Sequence, residues 1–282
     1  SHINLYVALG IKSRACLAEG DWDGAFKAAK RVIDEGGYAV GTKSDLTGGM
    51  NSLDKQNVMW GAGIQVADQA GGYAGFFTHM DNKEGAYAKS APKLISKQLY
   101  NRISATDIRR DWWDPSDKES PYVSKKFSFA NVASFLGDYI YMRVEEMYFT
   151  AAEAALRLDD LKSARELMNT VMAERDPGYS ANNRSGTLLG ATTTTWTGSF
   201  LENILTHRRI ELWGEYGRLF DVRRLGQGID RRTDDGFSEE CISMMNRRNV
   251  NITKADTYDW VLTIPKAELD ANPNINEEDQ NP

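Results

Sequence analysis

The segment from Ile204 to Gly226 mixes charged and aromatic side chains, and it constrains the fold more than any other stretch. A solvated helix face separates its charges from its apolar residues, and here the two kinds alternate. Buried ions are tolerated only when they are paired and hydrogen-bonded. We therefore predict a fixed carboxylate–guanidinium network that locks a helix onto its neighbours and whose role is structural rather than catalytic. Its expected members are Arg208, Glu211, Glu215, Arg218, Asp221 and Arg224.

The spacing of three of these residues predicts how the network is arranged. Glu211, Glu215 and Arg218 follow one another at four and three residues. In a continuous helix this spacing keeps charged groups on one face. We therefore expect their charged groups to meet along that face.

Apolar residues at helical spacing predict two helical hairpins, over residues 3–35 and 139–175. Both hairpins carry an acidic turn followed by a small residue that lets paired helices approach closely, namely Asp21 with Ala25 and Asp160 with Ala164. The pattern is similar to a degenerate tetratricopeptide repeat. A third helix, over residues 198–216, is predicted to cap the array.

The rest of the chain shows less regular patterns. Residues 38–138 are predicted to be a loop-rich insertion and residues 227–282 an irregular C-terminal segment. The insertion is expected to contain strands over 57–66 and 122–129, a helix over 91–102 that opens near Pro92, and loop over 66–91. We predict a single domain over residues 1–282, mainly α, with tetratricopeptide-like helical hairpins, long loops and a few short strands.

Composition excludes several functions. The net charge of −6 and the lack of a basic stripe argue against nucleic-acid binding. No apolar run is long enough to span a bilayer. The histidines are scattered and the two cysteines, Cys16 and Cys241, form no zinc spacing, so we predict no metal and no cofactor. Cys16 is expected to be buried. The acidic loop residues Asp111, Asp114, Asp117 and Glu119 are interpreted as solvated rather than as a calcium site.

No convergent set of nucleophile, acid and base is visible, so we predict that the chain is not an enzyme. Exposed aromatic residues among amides and acids fit a different function, the binding of a sugar chain, in which rings stack on pyranose C–H faces. The alternative for each ring is packing into the core, the interpretation preferred for Trp60 and Trp260. The candidate glycan-binding residues are Tyr73, Phe76, Phe77, His79, Asn82, Trp112, Trp113 and, more weakly, Trp196.

Three separated segments resemble the SusD/RagB family of surface glycan-binding lipoproteins. Residues 204–226 are similar to its pattern E-R-x-x-E-L-x-x-E-G-x-R-x-x-D-L-x-R-x-G, with departures at His207, where Glu is usual, and at Tyr216-Gly217. Residues 139–158 resemble R-x-A-E-x-Y-L-x-x-A-E-A, and residues 262–282 resemble the closing P-x-x-E-I-x-x-N-P-x-x-x-Q-N-P. The order of the three segments agrees with the family.

The resemblance implies a SusD-like α/α superhelix that binds oligosaccharide or polysaccharide without catalysis. It implies a location on the extracellular face of the outer membrane and delivery of the glycan to a SusC-like TonB-dependent transporter. Membrane association would come only through a lipid anchor that is not present in this chain. The chain opens within a helical pattern, so we expect it to be the C-terminal half or so of a longer protein. The alternative is a tetratricopeptide-type protein-interaction scaffold that binds no sugar.

Overall fold

The structure, a computed structural model, describes residues 3–68, 74–182, 198–227 and 262–280. Most of the regular structure is helical, which confirms the predicted class. The helices are α1 (Leu5–Glu19), α2 (Trp22–Glu35), α3 (Lys43–Thr47), α4 (Phe76–Met80), α5 (Ala86–Ser90), α6 (Lys97–Asn101), α7 (Val144–Arg157), α8 (Leu161–Ala173), α9 (Phe200–Glu211), α10 (Arg218–Arg224) and α11 (Lys266–Ala271). The strands are β1 (Val58–Ala62), β2 (Trp113–Asp114), β3 (Val123–Ser124) and β4 (Tyr139–Arg143).

The helical hairpins α1–α2 and α7–α8 are built by the repeated acidic turn. Asp21 caps α2 by accepting a hydrogen bond from the Gly24 amide, and Asp160 caps α8 through the Ser163 amide. Gly20, at a φ of 84°, reverses the chain after α1. The small residues that follow both turns are fully buried, which brings the helices of each pair close together.

The two hairpins pack together through α2 and α7, and α9 packs against α7 as the predicted third helix. The shared core includes Val32, Met147, Val171 and Ile204. Cys16 is buried beside α2, which confirms the expectation for this thiol. A second core lies inside the insertion and reaches α9 through Ile210. Among the described residues, no helix is long and apolar enough to cross a membrane.

The second hairpin begins later than predicted, because residues 139–143 form strand β4. This strand pairs antiparallel with β1, with Val58 opposite Arg143 and Ala62 opposite Tyr139. The physical reason is alternation: Met142 is buried whereas the neighbouring Tyr141 is 40% exposed, so these residues face opposite sides of a strand. The strand predicted over 57–66 is present as the shorter β1.

Four further predictions of local structure were wrong. The helix expected to open near Pro92 begins at Lys97, because Ser96 caps it. The stretch expected to be loop contains α4 and α5, and the strand expected over 122–129 is only β3. The helix predicted over 198–216 ends at Glu211, and the chain then turns through Gly214 and Gly217, whose φ angles of 74° and 106° favour glycine. In the predicted irregular C-terminal segment, residues 228–261 lie outside the described residues and α11 is helical.

Candidate functional site

The carboxylate of Glu211 is the centre of a fully buried ion network. One of its oxygens accepts hydrogen bonds from Arg143 and Arg175, both at 3.0 Å. The other accepts from Arg175 at 3.0 Å and from Arg109 at 3.2 Å. The three arginines come from β4, from the end of α8 and from the insertion. Glu211 therefore joins three parts of the fold that are distant in the sequence.

The network extends to the turn that follows α9. Lys126 donates to the backbone oxygen of Glu211 at 2.7 Å and to the Glu215 carboxylate at 2.5 Å. Arg143 binds both oxygens of Glu215, each at 2.8 Å. Burial lowers the pKa of Lys126 to about 8, although the Glu215 carboxylate acts in the opposite direction. Burial also raises the pKa of Glu215, but Arg143 and Lys126 outweigh this effect and hold it below its ordinary value.

A second cluster joins α10 to the second hairpin. Asp221 accepts from Arg208 at 2.9 Å and from Arg224 at 2.8 Å, and Arg224 also binds both oxygens of Glu153. In the part of the chain that the structure describes, Arg218 forms no ion pair within 4.0 Å, although it belonged to the predicted network. The first cluster also contains Asp107, which pairs with Arg109, and Glu145, which pairs with Arg143 and Arg175. Its four cations therefore meet four carboxylates, and such balanced pairing is typical of a structural network rather than of a reactive centre.

The departure from the family pattern at His207 has a local explanation. The ring nitrogen Nδ1 of His207 lies 2.8 Å from Nη2 of Arg109. Since a guanidinium can only donate, Nδ1 must accept and the ring proton must be on Nε2. Arg109 has two carboxylate partners, Asp107 at 2.7 Å and Glu211 at 3.2 Å. A neutral histidine therefore replaces the usual glutamate without leaving the arginine unpaired.

The structure corrects the prediction that the rings of Trp112 and Trp113 are exposed. They are 3% and 1% exposed, and Trp112 donates its indole N–H to the Leu46 oxygen at 3.0 Å. Trp113 packs edge-on against Trp213, with 5.8 Å between ring centres. Phe77 is also buried, at 2%. None of these three rings offers a face to a sugar, because the insertion uses them to build its own core.

The remaining candidates lie in different surroundings. His79 is exposed and stacks on Tyr87, with 4.6 Å between ring centres. The half-buried Asn82 uses its amide inside the insertion, where it donates to the Ser124 oxygen and accepts from the Lys93 amide. Phe76 is half-buried and lines a cleft. Tyr73 and Trp196 lie outside the described residues.

This cleft is an aromatic cavity of about 480 Å³, a volume within the usual range for small-ligand sites. Its walls come from β1, β4, α4 and the turn at 214–216. We call it the aromatic cleft, and it is lined by Arg14, Met50, Trp60, Phe76, Phe127, Tyr139, Ile140, Tyr141, Gly214, Glu215 and Tyr216.

Two ring pairs shape the aromatic cleft. Trp60 and Tyr141 meet edge to face across β1 and β4, with 5.1 Å between centres and 70° between planes. The Arg14 guanidinium covers Tyr216 at 3.7 Å from the ring centre. Tyr141 and Tyr216 are 40% and 37% exposed, so both rings have surface available to a ligand. The cleft can therefore offer stacking faces and tyrosine hydroxyls to one bound molecule.

Most of the residues that line this cleft were not among the predicted site residues, and Trp60 was interpreted as a core residue. The signal was present in both strands, where buried Met59 and Met142 alternate with Trp60 and Tyr141. Large aromatic residues on the face opposite a buried methionine indicate a second, partly open apolar surface.

No metal site accompanies the cleft in the part of the chain that is described, where no group of three or more His, Cys, Asp or Glu side chains could hold an ion. The acidic loop forms local turns instead. Asp114 accepts from Ser116, and Asp117 accepts from the amides of Glu119 and Ser120.

Comparison with known proteins identifies the relationship. The sequence model of the SusD family matches residues 114–282. The chain belongs to the SusD family. No curated protein matches this SusD-family chain.

Solved structures agree with the assignment. A SusD-like carbohydrate binding protein from Bacteroides vulgatus is 28% identical, with a TM-score of 0.66 over 82% of this chain and 47% of that protein. A SusD superfamily protein from Bacteroides thetaiotaomicron is 24% identical, with a TM-score of 0.75 over 99% and 61%. Surface glycan-binding protein A from Bacteroides uniformis is 17% identical, with a TM-score of 0.64 over 99% and 61%. The last two show the fold alone. This SusD-family chain spans 47–61% of the length of these three proteins.

We predict that Glu211→Gln strongly destabilises this SusD-family chain. The amide has nearly the same size but no charge, so three buried guanidinium groups lose their shared counterion. The expected loss in the free energy of unfolding is about 3–5 kcal/mol, measured by urea denaturation. The matched control is Glu35→Gln, which removes the exposed partner of Arg31 and should leave stability nearly unchanged. Equal effects of the two variants would contradict a supporting role for the network.

Acid should destabilise the folded chain in a defined pH range. Burial raises the pKa of Glu211 and Asp221, but their arginine partners outweigh it and hold both below the ordinary values of 4.5 and 3.8. A lowered folded pKa contributes stability that is present above the unfolded pKa and is lost as the pH falls through the folded one. Urea denaturation should therefore give a free energy of unfolding that falls steeply below about pH 4.5. Unchanged stability down to about pH 3 would contradict this.

Proposed function

We propose that this chain is a non-catalytic glycan-binding protein and that the aromatic cleft holds the sugar. The observation that carries the proposal is the set of partly open rings, Trp60, Tyr141 and Tyr216, on one cavity in a SusD-family chain. The names of two relatives, a carbohydrate binding protein and a surface glycan-binding protein, agree with it.

The cleft suits a sugar ring for physical reasons. Trp60 and Tyr141 form a corner, so one ring can stack on a pyranose C–H face while the other contacts its edge. Tyrosine hydroxyls can both donate to and accept from the sugar hydroxyls. An open site of this kind displaces water from few groups, so its affinity for a single oligosaccharide should be modest.

We further propose that the complete protein lies on the extracellular face of the outer membrane and passes the glycan to a SusC-like TonB-dependent transporter. This part of the proposal rests on family membership and on the three sequence segments that resemble the family. In this arrangement the helical hairpins face the transporter and the insertion presents the glycan site.

A second candidate function is a protein-interaction scaffold. Leu219 and Phe220 on α10 are 54% and 51% exposed, and Phe220 stacks on Tyr216 beside the aromatic cleft. Exposed apolar residues next to a cavity are typical of surfaces that bind other proteins. Trp112 and Trp113 are buried, so neither ring is available to stack on a sugar.

We predict that Trp60→Ala and Tyr216→Ala each weaken glycan binding by about tenfold, since the first removes a stacking ring and the second removes a partly exposed ring and its hydroxyl from the cleft. The measurement is affinity gel electrophoresis against a panel of polysaccharides, followed by calorimetry on those that bind. The matched control is Tyr87→Ala, because Tyr87 is 38% exposed, close to the 37% of Tyr216, but lies outside the cleft.

Thermal unfolding of every variant shows whether it remains folded. Binding that is lost in the cleft variants and kept in the control supports the proposal. Binding that both cleft variants keep would place the sugar elsewhere. Failure of every glycan to bind, in this chain and in a longer form of the protein, would favour the scaffold function.

A further inference from the structure

The charged side chains at the aromatic cleft are paired with charged residues that do not line it. Among the described residues that line it, only Arg14 and Glu215 carry charge at neutral pH. All the other lining residues are aromatic or apolar, apart from tyrosine hydroxyls. The electrostatic character of the cleft therefore depends on the partners of these two side chains.

Arg14 is held by a carboxylate outside the cleft. Its Nε and Nη2 donate to the two oxygens of Glu146 at 2.8 and 2.7 Å, and Nη2 also donates to the Tyr141 backbone oxygen. The pair is bidentate, and because Glu146 is 1% exposed it is shielded from water on the carboxylate side. Glu146 also lies 3.6 Å from Arg208, whose own closer carboxylate partner is Asp221 at 2.9 Å. The positive charge of Arg14 is thus compensated before any ligand arrives.

Glu215 is compensated in the same way. Both of its oxygens bind Arg143, and one also binds Lys126. Its negative charge therefore belongs to the buried network and has two cationic partners. The described lining of the cleft thus has one cation and one anion, and each is already paired.

We propose that the aromatic cleft selects neutral glycans over glycans that carry carboxylate or sulfate groups, an inference that rests on the proposed function. An anionic sugar would have to give up water against aromatic walls, and Arg14, the one cation among the described lining residues, is already paired with Glu146. The net charge of −6 adds a general repulsion toward polyanions. Neutral pyranoses with equatorial hydroxyls fit best, because they offer broad C–H faces to Trp60 and Tyr141.

The test compares matched ligands. Each polysaccharide that binds is also used after oxidation of its primary alcohols at C6 to carboxylates, which keeps linkage and length but adds negative charge. Calorimetry near physiological salt should show that the oxidised form binds about tenfold more weakly than the neutral form. Equal or tighter binding of the oxidised form, still lost in Trp60→Ala, would overturn the inference and leave glycan binding intact.

A reciprocal variant tests the cause. Glu146→Gln keeps an acceptor for Arg14 but removes the compensating charge, so it should raise the affinity for the oxidised form several-fold and leave the neutral form nearly unchanged. The matched control, Glu35→Gln, changes the net charge equally but lies outside the cleft and should change neither. An unchanged preference in a folded Glu146→Gln protein would overturn the inference. If no glycan of either kind binds, the proposed function itself fails.

Discussion

The rest of the structure depends on the pairing of the Glu211 carboxylate with three buried arginines. It brings together arginines from the insertion, from β4 and from the end of α8. A buried ion cluster stabilises a fold only when each charge is compensated, and every described member here has a partner. Such a cluster also specifies geometry, because the forked guanidinium groups accept few arrangements.

The same network fixes the walls of the aromatic cleft. Arg143 is the last residue of β4, two positions after Tyr141. It binds Glu215, which is the residue before Tyr216. The network therefore packs within the core and also positions the rings of Tyr141 and Tyr216. A binding site whose rings are already in place spends less of its interaction energy on ordering side chains. The same pairing compensates the charges that line the cleft. For this reason we propose that the cleft prefers neutral ligands.

The sequence allowed much of the helical scaffold to be predicted, because periodicity and the capping residues Asp21 and Asp160 are local signals. It also indicated that charges near Glu211 are buried. It could not show their partners, since Arg109, Arg143 and Arg175 are remote in the sequence. The assumption of one helix through Glu215 failed at Gly214 and Gly217. The aromatic cleft was missed because it forms only when β1 and β4 pair, and adjacent tryptophans carry no signal that separates exposed rings from buried ones.

The most direct measurement of where the sugar binds is hydrogen–deuterium exchange of the chain with and without a bound polysaccharide. If the aromatic cleft holds the sugar, the segments that form its walls, at 58–62, 139–143 and 214–216, should gain protection. Protection confined to other segments, such as the acidic loop at 111–119, with no change in β1 and β4, would contradict the assignment of the aromatic cleft as the glycan site.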